Sequence, residues 1–488
     1  MMNKLKIASL LGIIATLAIP SCTAENLKVP TFESHKGELT FTAYSGPTLE
    51  KIASGNTNIR TATREHMQKL VDAGFNKIIA LYDGATAATG ADTYETVELR
   101  SAKAERDALI LLEAMEGLDL KYYVRDWSFY GLVKNYLKGT DPIIDTEEEY
   151  DRIIAKMFDE NNQYIHHPNY GGNFCHDEPY YHELEDIAIQ VKLFKKYMAE
   201  RGEEDADLIV NLYNDTVGFE ALDGHSYEEY VDQYFRLIAP QLGHVCFDYY
   251  PLVSSYYAGS YIKSTYLNNL NIIAKKCKEQ NIELHSFLQS IGNWTGMRDL
   301  AGIGDLRLQV YTEMAFGSRD FIYYEYGNTR SVTDTGYALL NLQNGEYNWT
   351  YEAAKQVNNE VHAMEDAYLS YKWDGIMYRN ASEEYENIGF TYIDDDAIKN
   401  HPRVAIKSAT EDTIMGTFKN ENGDDAFMLV NYTDAYQNKT SKVTLKFKNA
   451  RGLLTYRLGQ KVVIKLPASR TYTFELYPGE GRFIIPIK

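Results

Sequence analysis

The chain has 488 residues, 44% of them hydrophobic and 24% charged, a balance that supports a large packed core and excludes a disordered polymer. A formal charge of −20 repels polyanions, so nucleic acid is excluded as a partner and a neutral or cationic ligand is easier to accommodate. The composition includes 40 tyrosines; most are expected in the core or on the surface, but a flat ring with one polar tip also suits ring-shaped polar ligands.

The chain begins MMNKLKIASLLGIIATLAIPSCTAEN. Lys4 and Lys6 precede an apolar run, residues 7–19, that is too short to span a bilayer and ends in small residues, so an export signal is expected over residues 1–22. Cys22 after Ser21 resembles a bacterial lipobox, which implies lipidation of Cys22 and an exported protein, periplasmic or at the cell surface, that touches the membrane only through its lipid. Pro20 departs from the usual lipobox, and a plain secretory signal is the alternative. The other cysteines, Cys175, Cys246 and Cys277, are odd in number and lack paired spacing, which argues against a disulfide framework or a zinc site.

From residue 37 to about 375, short apolar runs alternate with helical patterns. LTFTAYSG is followed by a helix over 60–74, NKIIALYDG by one over 98–116, LKYYVRDW by 147–161, and GGNFCHDEP by 184–200. ADLIVNLYND precedes a helix over 227–238, HVCFDYYPL one over 266–280, ELHSFLQSIGNW one over 305–316, and DFIYYEYGN one over 351–371. Eight such units predict a (β/α)8 barrel, with strands apolar on both faces as parallel strands are. A doubly wound sheet is the competitor, but no Gly-rich phosphate turn follows the first strand. From 380 to 488, short strands such as TIMGTFKN, SKVTLKFKN and TYTFELYPG at sandwich spacing predict a C-terminal antiparallel β-sandwich.

A (β/α)8 barrel carries its site at the C-terminal strand ends. These ends supply Tyr44, then Tyr82 and Asp83, then Arg125, Asp126 and Trp127, then His176, Asp177 and Glu178. The later strands supply Tyr213, Asn214 and Asp215; Asp248, Tyr249 and Tyr250; Gln289, Asn293 and Trp294; and Tyr323, Tyr324, Glu325 and Tyr326. Carboxylates, amides and aromatic faces with little aliphatic surface meet the needs of a sugar site. Asp83, Asp126 and Asp215 equally suit capping of the next helix. The histidines show no metal-ligand spacing, and no metal or cofactor is expected. The inserts at 84–98 and 128–147 are placed to wall the pocket, which favours exo action.

Asp177 and Glu178 form an adjacent pair locked by Pro179. Glycosidic cleavage needs one carboxylic acid to protonate the leaving oxygen and a second negative group for the oxocarbenium-like transition state. Neighbouring carboxyls split in pKa, which keeps one as the acid. The plainer reading is an Asp N-cap with Glu in the first helical turn.

A carboxylate pair before proline at the end of strand four resembles the barrel glycoside hydrolases. In the superfamily that includes the family-42 β-galactosidases the motif is Asn-Glu-Pro, its Glu being acid/base. LRLQVYTEMAFGSRDFIYYEY and FELYPGEGRFIIPI also resemble segments of family-42 relatives. This chain departs by having Asp177 for the Asn, and only Gln289 where that superfamily places its strand-seven nucleophile. The Asp-Glu pair without that nucleophile is similar to N-acetylhexosaminidases of families 20 and 123. That resemblance implies a substrate-assisted mechanism, with Asp177 polarising the acetamido group, Glu178 as general acid/base, and Tyr249 or Tyr250 binding the amide oxygen. The alternative keeps Glu178 as acid and takes Glu325 or Asp248 as second carboxylate. A catalytically silent glycan-binding barrel is the rival of another class. Tyr44, Tyr82, Asp126, Trp127, His176, Asn214, Gln289, Trp294 and Tyr324 are the remaining candidate contacts to the carbohydrate.

Overall fold

The computed structural model describes residues 27–49, 51–53, 56–79, 97–133, 146–255, 259–292, 296–328, 338–379 and 401–488. Eight parallel strands close a barrel: β1 (Thr40–Tyr44), β2 (Lys77–Ile79), β3 (Lys121–Val124), β4 (Tyr170–Asp177), β5 (Asp207–Leu212), β6 (His244–Phe247), β7 (Glu283–Gln289) and β8 (Ser318–Tyr324). Each pairs with its sequence neighbour, and β1 pairs with both β2 and β8. The strands read as unbroken apolar runs because both faces are buried. Phe174, Ile209, Cys246, Phe287 and Ile322 fill the barrel interior with Tyr44, Ile79 and Tyr123, while alternate residues such as Val210 and Leu212 face the helices.

Eight main helices surround the barrel: α1 (Arg64–Asp72), α2 (Val97–Met115), α3 (Glu147–Met157), α4 (Leu184–Glu200), α5 (Tyr227–Leu237), α6 (Tyr266–Gln280), α7 (Ile303–Ala315) and α8 (Trp349–His362). Their starts follow cap chemistry: Thr63 caps α1, and Thr146 with Glu149 and Ser226 with Glu229 form capping boxes on α3 and α5. The single helix expected over 351–371 is instead α8 plus a short helix, Glu365–Leu369. Glu365, at the break, accepts the backbone N–H groups of Gly37 and Leu39 at 2.9 and 2.8 Å and so ties down the approach to β1.

The C-terminal unit is a sandwich. One sheet has the order β9-β11-β12-β17-β14-β15 and the other β10-β13-β16, with β9 (Lys372–Arg379), β10 (Val404–Ala409), β11 (Thr413–Lys419), β12 (Asp425–Asn431), β13 (Ser441–Phe447), β14 (Gly452–Arg457), β15 (Gln460–Lys465), β16 (Thr471–Leu476) and β17 (Gly481–Ile487). Its first strand begins at Lys372, ahead of the 380 read from sequence; Asp374 and Gly375 obscure the strand pattern there, and the ladder is irregular between Trp373 and Gly375. The central strands of the larger sheet, β11, β12 and β17, are buried on both faces. In β12, Phe427 and Leu429 enter the core between the sheets, whereas Ala426, Met428 and Val430 belong to the core shared with the barrel. Tyr368 seals that junction, with ring centroids 5.5 Å from Phe418 and 5.6 Å from Phe483.

Glu313 on α7 is buried beneath β7, accepting from Ser286 Oγ at 2.7 Å and Tyr266 Oη at 2.9 Å. Burial pushes its carboxyl up to about 8 from 4.5. A carboxyl with a raised folded value binds protons more tightly when folded, so its stabilising contribution is complete below pH 4.5 and is lost as pH rises toward 8. We expect Glu313→Gln to flatten the fall of stability across that window, by on the order of 1 kcal/mol per pH unit. Urea unfolding at a series of pH values checks this; equal slopes for wild type and variant would show that Glu313 ionises without cost.

Candidate active site

The site is set by an irregularity in β4. Phe174 pairs with Ile209, but His176 pairs with Val210 and Asp177 with Asn211, so Cys175 is an extra residue. Regular pairing would put His176 opposite Asn211 and turn Asp177 toward the helices. The bulge brings Asp177 to the interior side. Further back, Gly172 sits at φ 141°, where a Cβ would lie 1.8 Å from the Asp207 carbonyl oxygen, so only glycine fits.

Asp177 Oδ2 accepts from Arg125 Nη2 at 3.2 Å and Tyr44 Oη at 3.3 Å, and Oδ1 accepts from Asn211 Nδ2 at 3.0 Å. Arg125 also donates to Tyr44 Oη at 2.5 Å. Its guanidinium lies 4.8, 5.1 and 5.6 Å from the ring centroids of Phe174, Tyr130 and Tyr44. This guanidinium is buried, so a paired anion compensates its desolvation.

Glu178 adopts the left-handed conformation, φ 51°, and its N–H donates to the Asn211 carbonyl at 2.8 Å. Its side chain neighbours Asp248, as does Asn214. Asp248 is 6% exposed. Burial, with Glu178 and then Asp177 beside it, holds the Asp248 carboxyl well above the usual range. Ionising all of these neighbouring carboxyls at once is therefore disfavoured.

Tyrosines close the ring. Tyr250 lies 4.9 Å from Tyr324, which lies 5.6 Å from Tyr44, all between ring centroids. Tyr213 is half-buried near Glu178; burial and then that carboxylate push its hydroxyl up.

Of the other candidates, the structure withdraws Gln289 and Tyr249 from this cluster. Gln289 is fully buried and spent on backbone: it bonds both the N–H and the carbonyl of Leu252, at 3.0 and 3.1 Å, and the Arg298 carbonyl at 3.0 Å. That saturation removes it from contact with a sugar. Tyr249 points outward, its hydroxyl 2.6 Å from Thr265 Oγ1 and its ring 5.1 Å from Tyr266 of α6, which leaves Tyr250 as the strand-six tyrosine of the site. His176 is buried against Tyr130, 5.2 Å away and stacked. Asp126 is buried at the start of a short helix, Trp127–Gly131, with its carbonyl accepting the Tyr130 N–H. Asn214 neighbours Asp248 and turns its own loop by accepting from Thr216. Asp215, pushed up to about 6 by burial, accepts from Thr265. Glu325 is buried just past β8, its carbonyl accepting from Ser290 Oγ at 3.1 Å. Cys22, Tyr82, Asp83, Asn293, Trp294 and the Trp127 side chain lie outside the described residues.

Asn211 was not among the sequence candidates. Its signal is an amide inside the apolar run LIVNL, a polar side chain that must find partners within the barrel.

The sandwich braces the wall beyond Tyr250. Arg298 makes a bidentate pair with Asp305, at 2.6 and 2.8 Å, and reaches Asp434 of the sandwich at 2.9 Å. Asp434 also accepts from Ser260 at 2.6 Å. Ser260 lies on the hairpin Leu252–Ser255/Gly259–Ile262 that follows Tyr250. Next to Arg298, Met297 packs with Ile291 and Ala338 against Tyr250 and Tyr324. A sandwich carboxylate thus fixes two loops that support the site tyrosines.

No family model and no curated protein matches the chain. Similar solved structures include a β-galactosidase from the psychrophilic Marinomonas ef1, 12% identical over 68% of this chain and 62% of that one, with a TM-score of 0.44. The match therefore spans less than two thirds of that protein's length. A β-galactosidase from Bacillus circulans sp. alkalophilus is 9% identical over 92% of this chain and 99% of that one, TM-score 0.45. A GH27 β-L-arabinopyranosidase from Geobacillus stearothermophilus is 10% identical over 91% and 96%, TM-score 0.44. At this distance the likenesses bear on neither activity nor substrate.

Asp434→Ala leaves Arg298 with one anion and releases the hairpin. We expect a loss of about 1.5–3 kcal/mol, as for a buried hydrogen bond to a charged group, since Arg298 keeps its bidentate Asp305. Amide exchange should quicken at residues 252–262 and 296–302 before the rest of the barrel, read by mass spectrometry; protection unchanged at both loops would show that Asp434 does not brace them.

Proposed function

We propose that the protein is a glycoside hydrolase in which Glu178 is the general acid/base and Asp248 the second carboxylate. The observation that carries this reading is the buried Asp248 carboxyl beside Glu178 and Asp177 at the C-terminal mouth of the barrel. Such a pair holds one proton and one negative charge, the inventory that glycosidic cleavage requires. Asp248, the buried member, passes its proton to Glu178 and becomes the anion, and Glu178, the more exposed member, presents that proton to the leaving oxygen. Neighbouring carboxyls are closer to the ~5–5.5 Å spacing of retaining enzymes than to the ~6.5–9.5 Å that admits an inverting enzyme's water. The retaining route follows. Asp248 attacks the anomeric carbon as Glu178 protonates the departing oxygen, giving a glycosyl ester; Glu178 then deprotonates a water that attacks the same carbon and releases Asp248.

The substrate-assisted route needs Asp177 to offer its charge to a cationic acetamido group. The Arg125 guanidinium already compensates that charge, which weakens the stabilisation Asp177 can give. Asp177 instead fixes Arg125, Tyr44 and Asn211 as the floor of the site. Export with a lipid anchor at Cys22 is part of the proposal and rests on the N-terminal sequence; loss of membrane association in Cys22→Ala tests it.

Aryl glycosides with and without a 2-acetamido group test the chemistry. Glu178→Gln and Asp248→Asn should each lower turnover of a weakly activated substrate by roughly 100- to 10,000-fold while keeping the fold. Wild-type rates in either variant would remove that residue from the mechanism. Turnover confined to 2-acetamido substrates and lost in Asp177→Asn, but kept in Asp248→Asn, would replace Asp248 by the acetamido oxygen. Absence of turnover across the panel, with binding retained, would make the barrel a glycan-binding protein.

A further inference from the structure

A second surface on the catalytic face is built for a ligand. Helix α7 runs back along the barrel from the end of β7, so its N-terminus lies on the same face as the site. The sandwich docks there by close backbone approach: a Cβ at Gly479 would lie 2.1 Å from the Gly304 carbonyl, and one at Gly304 would lie 3.1 Å from both Ala435 and Pro478. Beside this seam is a groove of about 320 Å³, near the lower end of the ~300–1,000 Å³ common for small-ligand sites.

Tyr436 and Tyr477, from two different sandwich turns, line the groove and are 61% and 45% exposed. In a chain whose large side chains are mostly buried, two exposed rings on one groove are a concentrated apolar surface. Each ring lies against a guanidinium, Arg298 at 5.5 Å from Tyr436 and Arg457 at 5.2 Å from Tyr477, which limits its motion. The charged residues of the groove are already paired: Asp305 with Arg298, and Arg307 with Glu360 at 3.0 and 2.5 Å. Asn438 adds a neutral amide. The lining therefore offers flat rings and neutral hydrogen-bonding groups, with no uncompensated charge to select an ion.

We propose that this groove binds a neutral glycan chain, with Tyr436 and Tyr477 as stacking platforms, at a site distinct from the carboxylate cluster. A polysaccharide held there keeps its chain on the face that carries the site. The inference does not depend on turnover, because binding is read directly.

The test is native electrophoresis of the full chain through gels containing galactomannan, mixed-linkage β-glucan or arabinogalactan, with dextran sulfate as a charged control. We expect at least one neutral polysaccharide to retard the wild type. The Tyr436→Ala/Tyr477→Ala variant should be retarded at least tenfold more weakly, Tyr436→Phe/Tyr477→Phe should behave as wild type, and Glu178→Gln should be retarded normally. Thermal unfolding of the alanine variant at the wild-type temperature establishes that it is folded; should it unfold, the single alanine variants take its place. The proposal is overturned if no neutral polysaccharide retards the wild type, if only dextran sulfate does, if the folded alanine variants are retarded like wild type, or if retardation is lost in Glu178→Gln.

Discussion

One surplus residue in β4 decides the chemistry of the mouth. In a regular strand, side chains alternate, and Asp177 would face the helical shell. Because Cys175 is left without an opposite residue on β5, Asp177 comes to lie against Asn211 inside the barrel. Glu178 then turns through the left-handed region and directs its carboxyl to Asp248. A bulge costs ladder regularity, and a left-handed glutamate costs on the order of 1–3 kcal/mol of backbone strain. The strand tolerates both because its neighbours on either side hold it in register.

The electrostatics follow from that placement. Asp177, Glu178 and Asp248 gather where Arg125 is the one guanidinium that bonds them among the described residues. Full ionisation would leave an uncompensated double negative charge in a poorly solvated pocket, which is far more expensive than keeping one proton. Arg125 is committed to Asp177 by geometry, which leaves Asp248, beside Glu178, as the carboxyl whose ionisation burial opposes most. In the proposed reading, such a pair has its proton donor and its anion already adjacent. That is a preorganised arrangement, needing no reorganisation of charge from elsewhere in the barrel.

Much of this was legible in the sequence. Eight apolar runs alternating with helical patterns gave the barrel, since burial on both strand faces leaves its mark on every residue of a run. Asp177, Glu178, Asp248 and Tyr250 were readable as strand-end residues. Which of them faced the site was not, because alternation counts residues and cannot register a bulge. The same parity ambiguity hid the difference between Tyr249, which packs on α6, and Tyr250, which meets Tyr324. Gln289 misled for another reason: an amide at a strand end looks like a ligand contact until its backbone partners, supplied by distant loops, are known. Asn211 shows the converse, a polar residue hidden in an apolar run whose partner lies on the adjacent strand.

The sandwich is harder to separate from the barrel than its sequence suggests. Strand β12 reads as an unbroken apolar run, DAFMLVN, because one face fills the sandwich core and the other the core it shares with α7. A free-standing sandwich would show water a face carrying Met428, Val430, Phe418 and Phe483. Burying large aromatic and aliphatic side chains of this kind is worth roughly 1.5–3 kcal/mol each, so the junction contributes as much as many whole domains have in reserve. That same junction carries Asp434 to Arg298 and Ser260, and through their loops reaches Tyr250 and Tyr324. Apolar burial supplies the adhesion and the buried ion pair supplies the register. The C-terminal unit is therefore part of the framework that holds the mouth of the barrel in shape, rather than an appendage to a self-sufficient barrel.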